Sequence, residues 1–499
     1  MTEGEVMKTK LSLLLVCAVL ASGCSRYERI DEPVTPAPIV VSRGQEDEET
    51  QESIPETSPV QIEVTTETSK KSERIPKKVK GIYISAYVAG TESLIDEIIQ
   101  HIDQTEINAV VIDVKDDNGR ITFSMDTPMV NEIDSVQKLI PDIETLINKL
   151  KEHNIYTIAR IVAFRDPYLP EQRPDLALKL ADGSVYRDNK GLAWVNPYKQ
   201  EVWDYLMEVG IGAKNVGFDE VQFDYIRFST EKGINHVVFD EEDTQGRSKR
   251  DIITEFVDYI YEELADEGVF VAADVFGAVI GGGVDSDSVG QSYGDMAEHL
   301  DYLCPMIYPS HYGDGNFGID HPDTRPYDTI LAALKGSKEA LNIHGDDDHI
   351  VTVRPWLQDF TATYLDHYIE YGDAQVREQI QAVYDAGYDE WILWNAACRY
   401  HWGGLKTPEE AAAEEQYIRE SREELSEETD RVETEETETI KQGIRESKVE
   451  WIGQPDKTQE PSNLEIKPIS WYRDKKNHVE KLETNRRSIE GIKVQSKAA

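Results

Sequence analysis

Two hydrophobic periods alternate along the middle of the chain. Eight short apolar runs, rich in β-branched and aromatic residues, read as strands: "KGIYISAYV", "INAVVIDVKDD", "IYTIARIVAF", "FDEVQFDYIRF", "VFVAADVFG", "DYLCPMIYPSHY", "HIVTVRPWLQDF" and "EWILWNAA". Between them lie amphipathic helical stretches such as "SVQKLIPDIETLINKLKEHN" and "SKRDIITEFVDYIYEELADEG". Strand and helix in regular alternation predict a parallel sheet with helices outside it. Both a closed (β/α)8 TIM barrel and an open doubly wound sheet have this pattern. The open sheet usually carries a Gly-rich phosphate turn after its first strand. None follows here, and "GAVIGGGVDS" after the fifth run is not GxGxxG. The reading is therefore an α/β chain with a (β/α)8 barrel over residues 79–406.

One run breaks the pattern of a strand covered on both faces, which should be apolar throughout. In "FDEVQFDYIRF" one face carries Val221 and Phe223, while the other carries Glu220, Gln222 and Asp224. Barrels place their sites at the C-terminal strand ends, so the polar residues there are the candidates. The second run ends in Asp113, Lys115, Asp116 and Asp117, and the third carries Arg160 and Arg165. The fourth ends in Asp224 with Arg227 beyond it, and the fifth in Asp274. The sixth offers Tyr308 and His311; the seventh Arg354, Trp356, Gln358 and Asp359; the eighth Trp394 and Asn395. Strand alternation puts Asp113 with Lys115 on one face, and Gln222 with Asp224. An inward polar face on the fourth strand makes sense if it feeds a site.

The flanks have a different composition. Lys8 and Lys10 precede "LSLLLVCAVLA", a run too short for a comfortable membrane span but suited to a signal peptide, with Met7 as a better start than Met1. The "LASGC" stretch that ends it resembles a bacterial lipoprotein signal, with Cys24 as the lipidated first residue of the mature chain; the alternative is an ordinary cleaved signal with an incidental cysteine. Residues 1–24 are thus read as a signal and residues 25–78, rich in Pro, Thr, Ser and Glu, as a disordered linker. From residue 407 to 499 the chain is an acidic tail, helical at first and then disordered. This implies a protein held on the cell membrane by a lipid and facing outside the cytoplasm. A formal net charge of −44 argues against nucleic acid as a partner. Cys304 and Cys398, the two cysteines of the barrel, have no metal-ligand spacing and read as buried free thiols.

The phrases "GIYISAY", "INAVVIDVKDDNGRITF", "ARIVAFRDP", "WVNPY", "GFDEVQFDYIRF", "DVFG" and "PMIYPSHY" together resemble the "putative glycoside hydrolase domain" family of bacterial exported proteins. That family is placed among the TIM-barrel glycosidases, with kinship to alpha-amylase-like enzymes. The resemblance covers about Lys80 to His401. It implies that Asp224 corresponds to the nucleophile position of alpha-amylase-like enzymes. The inward residue before it is Gln222, where those enzymes usually carry Arg. Their acid/base after the fifth strand is Glu, where this chain has Asp274.

Chemistry points to the same two carboxylates. Glycosidic cleavage needs one carboxylate at the oxocarbenium-like centre and one protonated carboxyl for the leaving group. Adjacent strands lie about 4.8 Å apart, so Asp224 and Asp274 can converge, and proximity drives their pKa values apart. Asp224 is the expected nucleophile and Asp274 the acid/base, with Asp359 the alternative acid. Asp113, Lys115, Arg160, Gln222, Arg227, Arg354, Asp359 and Asn395 are candidate sugar contacts, and Tyr308, His311, Trp356 and Trp394 a stacking platform. Structural alternatives are an ion pair of Asp224 with Arg160 or Arg227, and a rim salt bridge for Asp113 and Lys115. "DGNFGID", Asp314 to Asp320, lacks the sixth-position Gly and closing Glu of a calcium loop. "HGDDDH", His344 to His349, reads as a solvated loop at the opposite barrel end. No Ser-His-Asp order or zinc motif occurs, so no metal or cofactor is expected. The expected partner is a polysaccharide or cell-wall glycan, acted on by a monomer. The competing reading is a carbohydrate-binding or envelope scaffold protein on a barrel without catalysis.

Overall fold

Each of the eight apolar runs forms a barrel strand in the computed structural model, which describes residues 74–344, 351–424 and 431. The strands are β1 (Lys80–Ile84), β2 (Ala109–Lys115), β3 (Tyr156–Val162), β4 (Glu220–Asp224), β5 (Phe270–Phe276) and β6 (Tyr302–Met306). β7 is split by Arg354–Pro355 into Thr352–Val353 and Trp356–Gln358, and β8 is Trp391–Trp394. Pro355 has no N–H to give the ladder, although its carbonyl still accepts from Ile392.

Every pairing among these eight strands is parallel and the order closes on itself; the antiparallel pair Lys179–Leu180 with Val237–Val238 lies outside the barrel. β1 joins β8 through Gly81–Ile392, β6 joins both parts of β7, and β7 joins β8 through Leu357–Leu393. The sheet is therefore a (β/α)8 barrel. Closure explains the apolar runs: all seven residues of β2 and of β3 are buried, between the barrel interior and a helical coat.

The helices are cut from the amphipathic stretches by their caps. The helix Glu92–Ile102 (α1) buries Ile95, Ile98, Ile99 and Ile102, the spacing of one helical face. In "SVQKLIPDIETLINKLKEHN" only Ile143–Glu152 (α2) is helical, shorter than the pattern suggests. Pro141 disfavours helix in the residue before it, and the Asp142 side chain caps the first turn by accepting from Thr145 N–H. Residues before Pro141 run instead beside Ile121, bridging at Val136. Gln200–Asn215 (α3) follows β3. Lys249–Asp266 (α4) follows β4 and begins with a capping box between Ser248 and Asp251.

A further helix spans 408–424. Its Ala411 is buried, and Arg422 pairs with Asp389 ahead of β8. Cys304 and Cys398 are buried and free. Among the described residues no helix is long and apolar enough to cross a membrane. The signal segment with Cys24, the linker, residues 345–349 of the "HGDDDH" run and most of the acidic tail lie outside the described residues.

Candidate active site

The polar face of β4 serves three depths of the barrel. At the N-terminal end Glu220 accepts from Arg354 at 2.8 Å and from the Tyr156 hydroxyl at 3.2 Å. In the middle Gln222 donates to Asp274 Oδ1 at 2.9 Å. At the C-terminal end Asp224 Oδ2 accepts from Arg160 Nε and Nη2 at 2.9 and 2.6 Å. The face that should be apolar is thus a polar column, closed by an ion cluster below and opening into a cavity above.

That cavity, about 220 Å³, is lined by Asp117, Arg160, Asp224, Tyr225, Arg227, Asp274, Phe276, Gln291, Met306, Tyr308, His311, Trp356 and Trp394. Asp224 and Asp274 both face it, each one residue past the paired Phe223 and Ala273 of β4 and β5. Asp274 is only 1 % exposed, and its Oδ1 also accepts from Trp356 Nε1 at 2.6 Å. Burial, then the nearby Asp224 charge, pushes its carboxyl well above the usual range. The backbone N–H of Tyr225 donates to Asp224 Oδ1 at 2.6 Å, and Tyr225 takes a left-handed φ of 54° to do so.

Arg160 is the organising cation. Besides Asp224 it donates to Asp113 Oδ1 at 2.7 Å and to Asp117 Oδ2 at 3.3 Å. Burial lifts the Asp113 carboxyl to about 6 despite Arg160 and a hydrogen bond from the Tyr83 hydroxyl at 2.6 Å. Burial would also raise Asp117, but Arg160 and Arg165 hold it below its usual range. The ion pair expected as an alternative for Asp224 is therefore present, with Arg160.

Arg227 behaves differently. Its guanidinium lies 5.0 Å from the Trp194 ring, 5.1 Å from Tyr225 and 4.4 Å from Phe276, and donates to its neighbour's carbonyl, Phe228 O. Among the described residues no carboxylate pairs with it.

Trp356, Trp394, Tyr308 and His311 all line the cavity. Trp394 stands 4.3 Å from Tyr83 and 5.6 Å, edge-on, from Trp356. Tyr308 meets His311 edge-on at 5.0 Å, and burial lowers the His311 imidazole pKa.

Asp113 and Gln222 do not line the cavity but bond to Arg160 and Asp274, which do, and four further candidates stand away from it. Lys115 is fully buried, 2.7 Å from Asp166 and donating to Val162 O at 2.6 Å, with its ammonium over the Tyr205 ring of α3. The reason is a bulge: Asp113 pairs with Arg160, but Lys115 pairs with Ile161, so the alternation slips and Lys115 points outward. Arg354 faces inward but at the opposite end, bound to Glu220 and Glu390 and 3.9 Å from the Tyr302 ring centre. Asp359 is fully buried under His401, whose backbone N–H donates to it at 3.0 Å and whose ring nitrogen contacts it. Burial raises Asp359, yet it does not line the cavity. Asn395 folds back on the Arg399 and Asp359 carbonyls to shape the loop after β8.

Several lining residues escape sequence reasoning. Tyr225, Phe276 and Met306 sit at or near strand ends among apolar neighbours and look like core. Gln291 comes from the segment after β5, where its side chain ties the Phe276 N–H to the Asp274 carbonyl; no motif marks it. Trp194 does not line the cavity but packs against Arg227 of its wall; it arrives from the long β3–α3 connection, in a small second core with Leu178 and Tyr186.

Residues 81–400 match the family described as "putative glycosyl hydrolase domain". No curated protein matches the chain. Among solved structures, a hypothetical protein from Ruminiclostridium thermocellum is 36% identical, over 39% of this chain and 97% of that one, with a TM-score of 0.36. The PgaB (BpsB) glycoside hydrolase domain from Bordetella bronchiseptica is 12% identical over 64% of this chain and 94% of its own, with a TM-score of 0.46. The alpha-galactosidase TtGalA from Thermus thermophilus is 13% identical over 70% and 62%, with a TM-score of 0.42.

Proposed function

The chain belongs to the "putative glycosyl hydrolase domain" family, and from that premise we propose that it cleaves O-glycosidic bonds of a polysaccharide or cell-envelope glycan with Asp224 and Asp274. The observation that carries this reading is the contrast between the two carboxylates facing one cavity. Asp274 is buried and raised, as a proton donor must be; Asp224 is held by the Arg160 guanidinium. Asp274 gives its proton to the leaving oxygen while Asp224 attacks the anomeric carbon, forming a glycosyl-enzyme. Asp274, now a carboxylate, takes a proton from the water that releases the sugar.

Gln222 and Trp356 aim Asp274, and Arg160 with the Tyr225 N–H aims Asp224. Trp394, Tyr308 and His311 supply ring faces and edges for the sugar. Arg227, which pairs with no carboxylate among the described residues, offers its edge to a polar or acidic group on the substrate.

A second reading has its own support. The cavity is smaller than the ~300–1,000 Å³ of ordinary ligand sites, and Asp274 is nearly enclosed. A barrel that holds a glycan end without cleaving it has those features. Incubating the full-length protein with a panel of polysaccharides and cell-wall glycans separates the two: new reducing ends mean hydrolysis, and retention without products means binding alone.

We also propose that the protein is exported and held outside the cytoplasm by a lipid on Cys24. The support is the short apolar run ending in "SGCS" after Lys8 and Lys10.

A further inference from the structure

At the C-terminal rim the connections after β6 and β7 bring together three side chains that sequence reading kept apart. Asp314 belongs to the loop after β6, His321 ends that loop, and His367 comes from the connection after β7. One ligand atom from each lies within 4.8 Å of the others. His321 Nδ1 is 3.0 Å from Asp314 Oδ1 and His367 Nδ1 is 3.7 Å from Asp314 Oδ2. The two imidazoles stack with centroids 3.7 Å apart and planes 17° from parallel; an ion lies in the plane of each ring that binds it, so one ring must rotate out of the stack for both to share it. We propose that Asp314, His321 and His367 bind a divalent transition ion of the zinc class.

The donor set fits that ion. Two imidazole nitrogens and one carboxylate oxygen, with a position left for water, suit zinc and its neighbours and not calcium, which takes six to eight oxygens. A tetrahedral zinc with bonds of about 2.0 Å needs donors roughly 3.3 Å apart. His321 Nδ1 already meets that spacing to Asp314 Oδ1 at 3.0 Å, while the 3.7 Å from His367 Nδ1 is to the other oxygen, Oδ2, so the carboxylate must turn or bind through both oxygens to serve one ion.

His321 Nδ1 is a second observation in the same direction. The atom is buried and makes no well-aligned hydrogen bond; its contact with Asp314 Oδ1 at 3.0 Å is one that a bound cation would replace. The rest of the cluster is open to ions from solvent: the His367 side chain is 54 % exposed and Asp314 63 %.

The surroundings hold the backbone of two ligands in place without the metal. The His321 carbonyl accepts from the Thr324 N–H and hydroxyl, each closing a turn. Next to it, Asp323 accepts from Gln358 of β7 at 3.0 Å, and the Tyr371 hydroxyl donates to the Asp323 carbonyl at 3.0 Å. The bases of the two connections are therefore already tied, four residues from His367 on one side and two from His321 on the other. A metal would tie their outer parts as well. The first connection also carries Tyr308 and His311 of the cavity wall, so the ion would stiffen one side of the mouth.

This inference does not depend on the glycosidase reading, and its test uses no activity. Full-length protein freed of metal with a chelator is titrated with Co²⁺, whose visible absorption reports nitrogen-rich low-coordinate sites, and then with Zn²⁺ in competition. The expected result is one Co²⁺ per chain, displaced by Zn²⁺. His321→Ala and His367→Ala should each weaken binding by more than the ~10–100-fold that loss of a merely orienting group costs. His153→Ala, which removes a surface imidazole paired with Asp103, should leave binding unchanged, and circular dichroism shows whether each variant is folded. Absence of saturable binding, or binding of equal strength in folded His321→Ala and His367→Ala, would overturn the proposal.

Discussion

Arg160 on β3 gives two hydrogen bonds to one oxygen of Asp224 on β4, from Nε at 2.9 Å and from Nη2 at 2.6 Å. The same guanidinium reaches Asp113 and Asp117, so one buried cation faces three carboxylates. Asp117 keeps Arg165, but the loss of Arg160 leaves the buried Asp113 and Asp224 without a cation, a situation that costs about 3–5 kcal/mol. Arg160→Met should therefore lower the urea midpoint sharply as well as disable the site. Stability equal to wild type would show that the cluster is solvated and weak.

The opposite end of the barrel makes a prediction about pH. Burial lifts the Glu220 carboxyl from an ordinary 4.5 to about 7, despite Arg354 beside it. The folded state thus holds that proton more tightly than the unfolded chain. The resulting stabilisation is complete below the unfolded value, shrinks as pH rises, and is gone above about 7. A shift of this size corresponds to roughly 3 kcal/mol. Asp113 acts with the same sign, up to about 6. Urea denaturation at about pH 5 and about pH 8 should show Glu220→Gln losing less stability across the interval than wild type. An unchanged pH dependence would mean that Glu220 does not take up the proton on folding.

Lys115 offers a test of the bulge in β2. Its side chain and that of Asp166 are almost wholly enclosed, so Lys115→Met should cost about 3–5 kcal/mol by stranding the aspartate. The folded fraction should keep the wild-type KM, because the ammonium points away from the cavity. A stable variant with a raised KM would return Lys115 to the sugar-binding face.

The anchor is tested by fractionation. The full-length protein expressed in a bacterial host should sediment with membranes and enter detergent, and Cys24→Ala should move it to the soluble fraction. A wild-type protein that is soluble without detergent would remove the lipid from the account.

How far the chain could be read follows from what each signal encodes. The eight strands were legible because closure buries both faces, leaving unbroken apolar runs such as "AVVIDVK". The position of Asp224 and Asp274 at the cavity was legible because they are the last inward polar residues of neighbouring strands. Lys115 was misplaced because period-two alternation carries no sign of a bulge, and one extra residue reverses every side chain after it. Arg354 was counted among the strand-end residues but lies beside Glu220 at the opposite end, since the composition of a run does not fix depth along the barrel axis. Asp359 looks free in sequence; its partner His401 lies 42 positions away. The left-handed backbone of Tyr225, which aims its N–H at Asp224, has no signature in a tyrosine.

The carboxylate pair is tested most directly by steady-state hydrolysis of whichever glycan responds, together with aryl glycosides of the same sugar bearing good and poor leaving groups. Full-length Asp224→Asn should fold and yet lose at least ~10⁴-fold in kcat/KM on every substrate. Asp274→Asn should lose about 10²–10⁴-fold where the leaving group needs a proton and far less where it does not. That difference assigns nucleophile and acid. Folded variants that both turn over at wild-type rates would contradict the account, and would move the chemistry away from the end of β4.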